Sequence, residues 1–215
     1  CDFIVVPLRH FMELVHRVQS TAERLFRRFG VKSVTMDDVA KEISISKKTL
    51  YKCFRDKESL VLSTVESHMR ENEEAIERII QTEPNAIEQF HLITTYLMSN
   101  QRKMSPSMLY DLKKYHPQSF ELLEKHRSNH VVRHLLFNIE LGRSSGLYHT
   151  NFHAEIIATS FSMLSFHVFD NVELNSLNIG QDDVLIEIIK YHLRSISTEI
   201  GIETINSIDW KIKPS

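Results

Sequence analysis

Glycine is scarce in this chain: its 215 residues contain five, and none lies between Gly30 and Gly142. Ordinary usage of about 7% would supply roughly 15. Gly-rich phosphate cradles are thereby excluded. A turn-rich all-β fold is excluded as well, because tight hairpins demand residues with positive φ. Cysteine is limited to Cys1 and Cys53, too few for a disulfide framework, and such usage suits a reducing compartment. No apolar run approaches the ~18 residues of a membrane span. At the start of the sequence only Phe3–Val6 is an apolar run, without the basic segment and cleavage site of a secretory leader. Met12 is an alternative start, and a lipidated Cys1 is the disfavoured alternative. The expectation is a cytoplasmic protein without a membrane partner, made of long helices joined by few turns.

Apolar residues make up 42% of the chain and charged residues 25%, an ordinary globular mix. The net charge of −2 is unevenly spread. Residues 1–60 hold 12 Lys and Arg against 8 acids, whereas residues 61–215 hold 14 against 20. A basic amino-terminal module on an acidic body suggests a polyanion partner for the first part alone.

Apolar spacing predicts a helix over 12–29, stopped by Gly30. Thr35 is a good cap for a short helix, Met36–Ile43, with Asp37 and Asp38 favourable at its start. Ser44-Ile45-Ser46 breaks that helix, and Ser46 caps a second one, Lys47–Phe54. Asp56 caps a long helix ending near Gln81. Pro84, Pro106 and Pro117 each suit a helical first turn, predicting helices to about Asn100, through Tyr115 and through Leu141. The last is apolar nearly all round, as befits the middle of a bundle. Gly142–Thr150 reads as a turn and 171–181 as a loop. Helices at about 152–169 and 182–199 close the chain, the latter ended by Gly201.

The span from Thr35 to Phe54 is the informative one. Two short helices meet through a three-residue turn, with Val39, Ala40, Ile43, Ile45, Leu50 and Phe54 spaced to pack them on each other and on the preceding helix. That is a helix-turn-helix, whose second helix can enter a DNA major groove. Thr35-Met36, Val39-Ala40, Ile45-Ser46, Thr49-Leu50-Tyr51, Phe54, Lys57-Glu58 and Leu60 resemble the TetR family of bacterial transcriptional regulators, and Ala22-Glu23, Leu25-Phe26 and Gly30 fit that family's first helix. The resemblance covers roughly residues 14–62. It implies an all-α homodimer: a three-helix DNA-binding domain, 12–56, followed by a helical-bundle ligand-binding and dimerisation domain, 57–205. Three positions depart from the pattern. Ser44 stands where many members have a turn Gly, Lys48 where Gly is common, and Cys53 where His or an aromatic is frequent. Cys53 reads as a small packing residue, with oxidant sensing as the alternative.

Candidate DNA contacts follow. Thr35 and Ser46 sit at helix N-termini, whose N–H groups favour phosphate. Tyr51 and Lys57 match the family's phosphate-contacting positions. Lys47, Lys48, Thr49 and Lys52 lie on the recognition helix and are candidates for base edges. The resemblance also implies a small-molecule pocket among the helices of about 57–143, with Met69, Ile76, Tyr96, Met108, Phe120, Leu123, His130 and Phe137 as candidate lining. Apolar stripes on the last two helices nominate Phe161, Leu164, Val168, Ile188, His192 and Ile196 for a two-fold interface. Twelve histidines is a high count. His126, His130 and His134, like His149 and His153, recur at i, i+4, a spacing that can hold zinc. No Cys or acid at ligand spacing completes a site, so no metal and no cofactor is expected. There is no H-E-x-x-H and no nucleophile elbow. The expected function is a sequence-specific transcriptional regulator, a ligand-released repressor acting as a homodimer on a palindromic double-stranded operator. The alternatives are a helical His-metal enzyme and an architectural DNA binder without an inducer.

Overall fold

The computed structural model describes residues 2–101, 108–168, 174 and 176–210. Among them the regular elements are helices: α1 Asp2–Phe29, α2 Met36–Glu42, α3 Lys47–Cys53, α4 Lys57–Thr82, α5 Ala86–Gln101, α6 Met108–Tyr115, α7 Pro117–His126, α8 Val132–Ser144, α9 Ala154–His167, α10 Gln181–Ile196 and α11 Glu199–Ser207. Contacts divide the chain into two compact units, Cys1–Glu73 with Asn100–Glu124, and Glu74–Ser99 with Lys125–Ser215. That division follows packing. The functional boundary expected at 56/57 is a separate matter that packing does not address.

In the first unit α1 begins at Asp2, upstream of the expected Met12, and an ion pair at 3.3 Å joins Arg9 of this added stretch to Glu13 one turn on. Val18, Ala22, Leu25 and Phe26 of α1 are buried with Val39, Ala40, Leu50 and Phe54, and Ile43 and Ile45 pack at the margin. Gly30 ends α1 at φ +80°, its N–H donating to the Phe26 carbonyl at 2.9 Å. Met108 and Leu112 of α6 join the same core. Pro106 lies outside the described residues.

The turn between α2 and α3 is where Ser44 replaces glycine. Its φ is +57°. The Ser44 N–H donates to the Lys41 carbonyl at 3.1 Å and the Ile45 N–H to the Ala40 carbonyl at 3.0 Å. That pattern of crossed bonds around a left-handed residue closes the helix and reverses the chain. The position therefore demands φ > 0, which glycine adopts without the strain of a Cβ.

In the second unit Asn85 opens α5, its Oδ1 accepting the N–H of Ile87 at 2.9 Å and of Glu88 at 3.2 Å, so the helix starts at Ala86 and Pro84 precedes the cap instead of standing in the first turn. The single helix expected over Pro117–Leu141 is interrupted by a π turn, Arg127–Val131. A π turn holds more residues than an α turn, so it rotates the apolar face. Phe120 and Leu123 pack on the first unit's core and Leu135 and Ile139 in the second's. The all-round burial expected for this stretch does not hold, because Phe137 is 52% exposed.

Two glycines have roles other than the ones expected. Gly142 lies inside α8, where a Cβ would fall 2.0 Å from the Tyr148 ring. The turn residue is Gly146 at φ +72°, with its N–H donating to Arg143 and the Leu147 N–H to Gly142. Gly201 does not end α10. It sits within α11, where a Cβ would meet the Leu147 carbonyl at 2.3 Å. The break falls earlier, at Ser197, and Thr198 caps α11 by accepting the Gly201 N–H. The loop expected at 171–181 lies partly outside the described residues; Ser176–Gly180 within it are exposed.

Asn138 is the buried polar node of this unit. It donates to the Ala86 carbonyl at 2.8 Å and to Gln89 at 3.1 Å, and accepts from the Tyr148 hydroxyl at 3.2 Å. Beside it His192, 7% exposed, lies between Phe90 and Phe161, with ring centroids 5.4 and 4.2 Å away. Burial disfavours its charged form and lowers its pKa to about 4.

Two outcomes follow for stability. Ser44→Gly relieves the left-handed strain and is expected to stabilise the fold by about 1 kcal/mol, a rise in melting temperature of about 2–4 °C; thermal denaturation measures it. The His192 pKa is depressed in the folded chain, so between about pH 6.5 and pH 4 the unfolded chain takes up a proton that the folded one refuses. Stability then falls as pH is lowered through that window, by about 3 kcal/mol across it. Denaturant melts from pH 7 to 4.5 are expected to show a shallower loss for His192→Phe than for the unaltered chain.

Candidate nucleic-acid interface

The first unit presents α3 on a fixed base. Leu50 is fully buried while Lys48, Tyr51 and Lys52 on the other faces of α3 are exposed. Ser46 caps α3 through its hydroxyl, which accepts the Thr49 N–H at 3.0 Å and bonds the Thr49 hydroxyl at 2.8 Å. Thr49 is therefore held in place beside the cap. Thr35 forms a reciprocal capping box: its hydroxyl accepts the Asp38 N–H at 3.2 Å, and its own N–H donates to the Asp38 carboxylate at 2.9 Å. These bonds to Thr35, its hydroxyl first, hold the Asp38 carboxyl below its ordinary range. The N-terminal ends of α2 and α3 are thus preorganised by their own side chains.

The cations of the site differ in what they touch. Lys47 pairs with Asp37, and that contact raises its pKa. Lys48 and Lys52 make no ion pair among the described residues. Lys57 opens α4, where Asp56 caps by accepting the Ser59 N–H at 2.7 Å. Its ammonium folds back to donate to the Lys32 carbonyl at 3.1 Å. Burial lowers the Lys57 pKa, with Asp111 and Asp38 acting in the opposite sense. The eight expected DNA contacts thus fall at the α2 and α3 N-termini, on α3 and at the start of α4, all in the first unit.

Sequence reasoning missed the part that α6 contributes here. Asp111, 6% exposed, accepts the Lys32 backbone N–H at 2.9 Å. Lys32 lies over the Tyr115 ring at 5.0 Å, and His116 meets Glu58 at 2.5 Å. A polar residue at 111 between the buried Met108 and Leu112 is the only trace of this in the sequence. Cys53 is half-buried in the first core, and burial raises its pKa.

The candidate pocket residues are divided. Met69, Met108, Phe120 and Leu123 belong to the first unit, where Met108 is buried in the core. Ile76, Tyr96, His130 and Phe137 belong to the second. A groove of about 590 Å³ beside α2 is lined by Leu25, Phe29, Val34 and Lys41 among others, and by none of those eight. In the second unit the His126 and His130 rings stack at 4.9 Å. Of the residues nominated for an interface, Phe161, Val168, His192 and Ile196 are covered by the second unit's own core, Ile188 is half-buried and Leu164 is 44% exposed. The stripe carrying Phe161 faces Phe90 and α10, which is why the chain itself covers it. The outward apolar residues of α9 and α10 are Ile156, Met163, Leu164 and Tyr191.

Among the described residues no helix is long and apolar enough to cross a membrane. Residues 20–64 match the family described as bacterial regulatory proteins, tetR family. The HTH-type transcriptional regulator YvaF of Bacillus subtilis strain 168 is 29% identical over 109 residues, which cover 50% of this chain and 57% of that one. The match thus spans little more than half of that relative's length. Two crystal structures share the fold. A transcriptional regulator from Saccharomonospora viridis in complex with choline superposes with a TM-score of 0.73 at 18% identity, over 87% of this chain and 100% of that one. The reduced form of E. coli NemR superposes with a TM-score of 0.70 at 16% identity, over 86% and 97%. The helix-turn-helix with its capped, cationic second helix lies within the matched stretch, so residues 20–64 carry the amino-terminal module of the bacterial regulatory proteins of the tetR family, on a chain whose all-helical fold is shared with solved transcriptional regulators.

Proposed function

We propose that the protein is a cytoplasmic transcriptional repressor, not an enzyme, that binds a palindromic operator as a homodimer and is released by a small-molecule ligand. The observation that carries this is α3: a short helix fixed by the buried Leu50 at one side, with Lys48, Tyr51 and Lys52 exposed on the others. Lys47, Lys48, Thr49 and Lys52 read base edges. Thr35, Ser46, Tyr51 and Lys57 hold phosphates, with the Lys57 ammonium leaving the Lys32 carbonyl to do so. A ligand held by the second unit fits with a fold neighbour that was solved with choline. In this chain Ile76, Tyr96 and His130 of that unit are half-buried and suited to it.

The test is selection of duplexes from a random pool by the purified chain. A palindromic consensus is expected; recovery of unenriched sequence would defeat the reading. On the selected duplex, Lys57→Gln is expected to weaken all sequences alike and reduce the salt slope by about 0.9, as the loss of one phosphate contact does. Lys52→Ala is expected to cost about 1–3 kcal/mol on the consensus and to relax preference at one position, as the loss of a base contact does.

The homodimer is proposed to use the outward residues of α9 and α10, with Leu164 and Ile188 of the apolar stripes and Met163 and Tyr191 beside them. Leu164→Glu with Tyr191→Glu is expected to yield a folded monomer by sedimentation velocity. Phe161→Glu is expected instead to unfold the second unit, since it places a charge in a core between Phe90 and His192.

A further inference from the structure

The carboxy-terminal half of α6 carries a cationic and aromatic surface that the helix-turn-helix does not account for. Lys114 donates to the Tyr110 hydroxyl at 2.8 Å and lies 5.5 Å from the Tyr115 ring centroid. Lys32 lies over the same ring at 5.0 Å, and Lys113 over Phe120 at 5.8 Å. Among the described residues, Lys32, Lys113 and Lys114 meet aromatic faces and a neutral hydroxyl and form no carboxylate ion pair. The nearby acids are otherwise engaged: Asp111 by the Lys32 N–H, Glu58 by His116 and Asp38 by Thr35. An ammonium beside a ring is positioned without being neutralised, so the charge remains available to an anion. Tyr115 reflects the same field, its pKa lowered chiefly by its bond to Lys32.

The surface is continuous with the expected phosphate contact at α4. The Lys57 ammonium bonds the Lys32 carbonyl at 3.1 Å, and the Asp111 carboxylate fixes the Lys32 backbone from the α6 side. Lys32 and Lys114 both lie against one ring, at 5.0 and 5.5 Å from its centroid, which gathers two ammonium groups where neighbouring phosphates of one strand, with charge recurring every ~3.4 Å of axis, can meet both.

We propose that Lys32, Lys114 and Tyr115 form a second phosphate-contacting patch that carries the duplex DNA footprint from Lys57 onto α6. It rests on the DNA-binding reading above and adds contacts that are blind to sequence. The patch contributes affinity and register, and α3 contributes sequence preference.

The experiment is a fluorescence anisotropy titration of a long random-sequence duplex with the full chain over a series of sodium chloride concentrations. Lys32→Gln and Lys114→Gln are each expected to lower the slope of log affinity against log salt by about 0.9, and the double variant by about 1.8. Lys114→Arg is expected to keep the wild-type slope. Lys190→Gln, which removes the same charge from α10, is expected to keep it as well. Unchanged thermal melts of the variants establish that they fold. The proposal is overturned if the double variant keeps the wild-type slope while Lys57→Gln flattens it, because DNA binding then stands without α6. It is equally overturned if Lys190→Gln lowers the slope as much as the patch variants do, since net charge and not contact would then be at work. A wild-type chain with no salt-dependent duplex binding overturns both this patch and the reading on which it rests.

Discussion

The carboxylate of Asp111 constrains much of the first unit. A buried carboxylate is costly unless its oxygens are bonded and its charge is faced by a cation. Here one oxygen takes the Lys32 backbone N–H, and the Lys57 ammonium lies close enough to feel the charge. The first of these fixes the stretch between α1 and α2, just ahead of the Thr35 cap. The second sits at the start of α4. One side chain from α6 therefore sets the backbone that leads into the helix-turn-helix and bears on the cation that opens the next helix. Met108 and Leu112, one turn apart or less on the same helix, lock α6 into the core beneath it. Because the carboxylate satisfies backbone and cation together, displacing α6 would leave both an unpaired buried acid and an unsupported loop.

The fold was legible wherever local chemistry decided it. The caps at Thr35, Ser46 and Asp56 follow from short polar side chains placed before apolar periodicity, and each bonds the N–H that such a cap must satisfy. The stop at Gly30 was equally local. The failures share one physical cause, that the deciding contact was distant in sequence. Gly142 resembles a turn residue, yet it is glycine because the Tyr148 ring lies where its Cβ would be. Gly201 resembles a helix stop, yet the Leu147 carbonyl excludes a side chain there. The π turn at Arg127–Val131 has no composition of its own; it shows only as a mismatch between the apolar faces on either side.

The candidate site was legible in where its residues fall and not in how they connect. The eight residues nominated for DNA contact lie at helix ends or on α3 in one unit. The sequence could not show that Lys57 bonds the Lys32 carbonyl, or that α6 takes part, because both depend on residues dozens of positions apart. The stripe nominated for dimerisation shows a related limit. Periodicity identifies an apolar face but not what covers it. Phe161, Val168, His192 and Ile196 are covered within the chain, and the exposed apolar residues of these helices are others, Met163, Leu164 and Tyr191 among them.

Charge counting alone would have misjudged the interface in the same way. The excess says nothing of which cations are free, because five of the twelve are paired with acids of the same segment: Arg9 with Glu13 at 3.3 Å, Arg24 with Glu42 at 2.7 Å, Arg27 with Glu23, Arg55 with Asp56 at 3.0 Å and Lys47 with Asp37. The Arg27–Glu23 pair is largely buried and joined by His68 at 2.9 Å, so it braces α1 against α4 and is closed to a ligand. The Lys47–Asp37 pair is exposed, and solvent screening leaves such a pair weak, so in the proposed complex Lys47 gives up its carboxylate at little cost. Lys48 and Lys52 need no exchange at all. Within one short helix the lysines are therefore graded by what each must give up, and under the proposed function that grading favours Lys48 and Lys52 over Lys47.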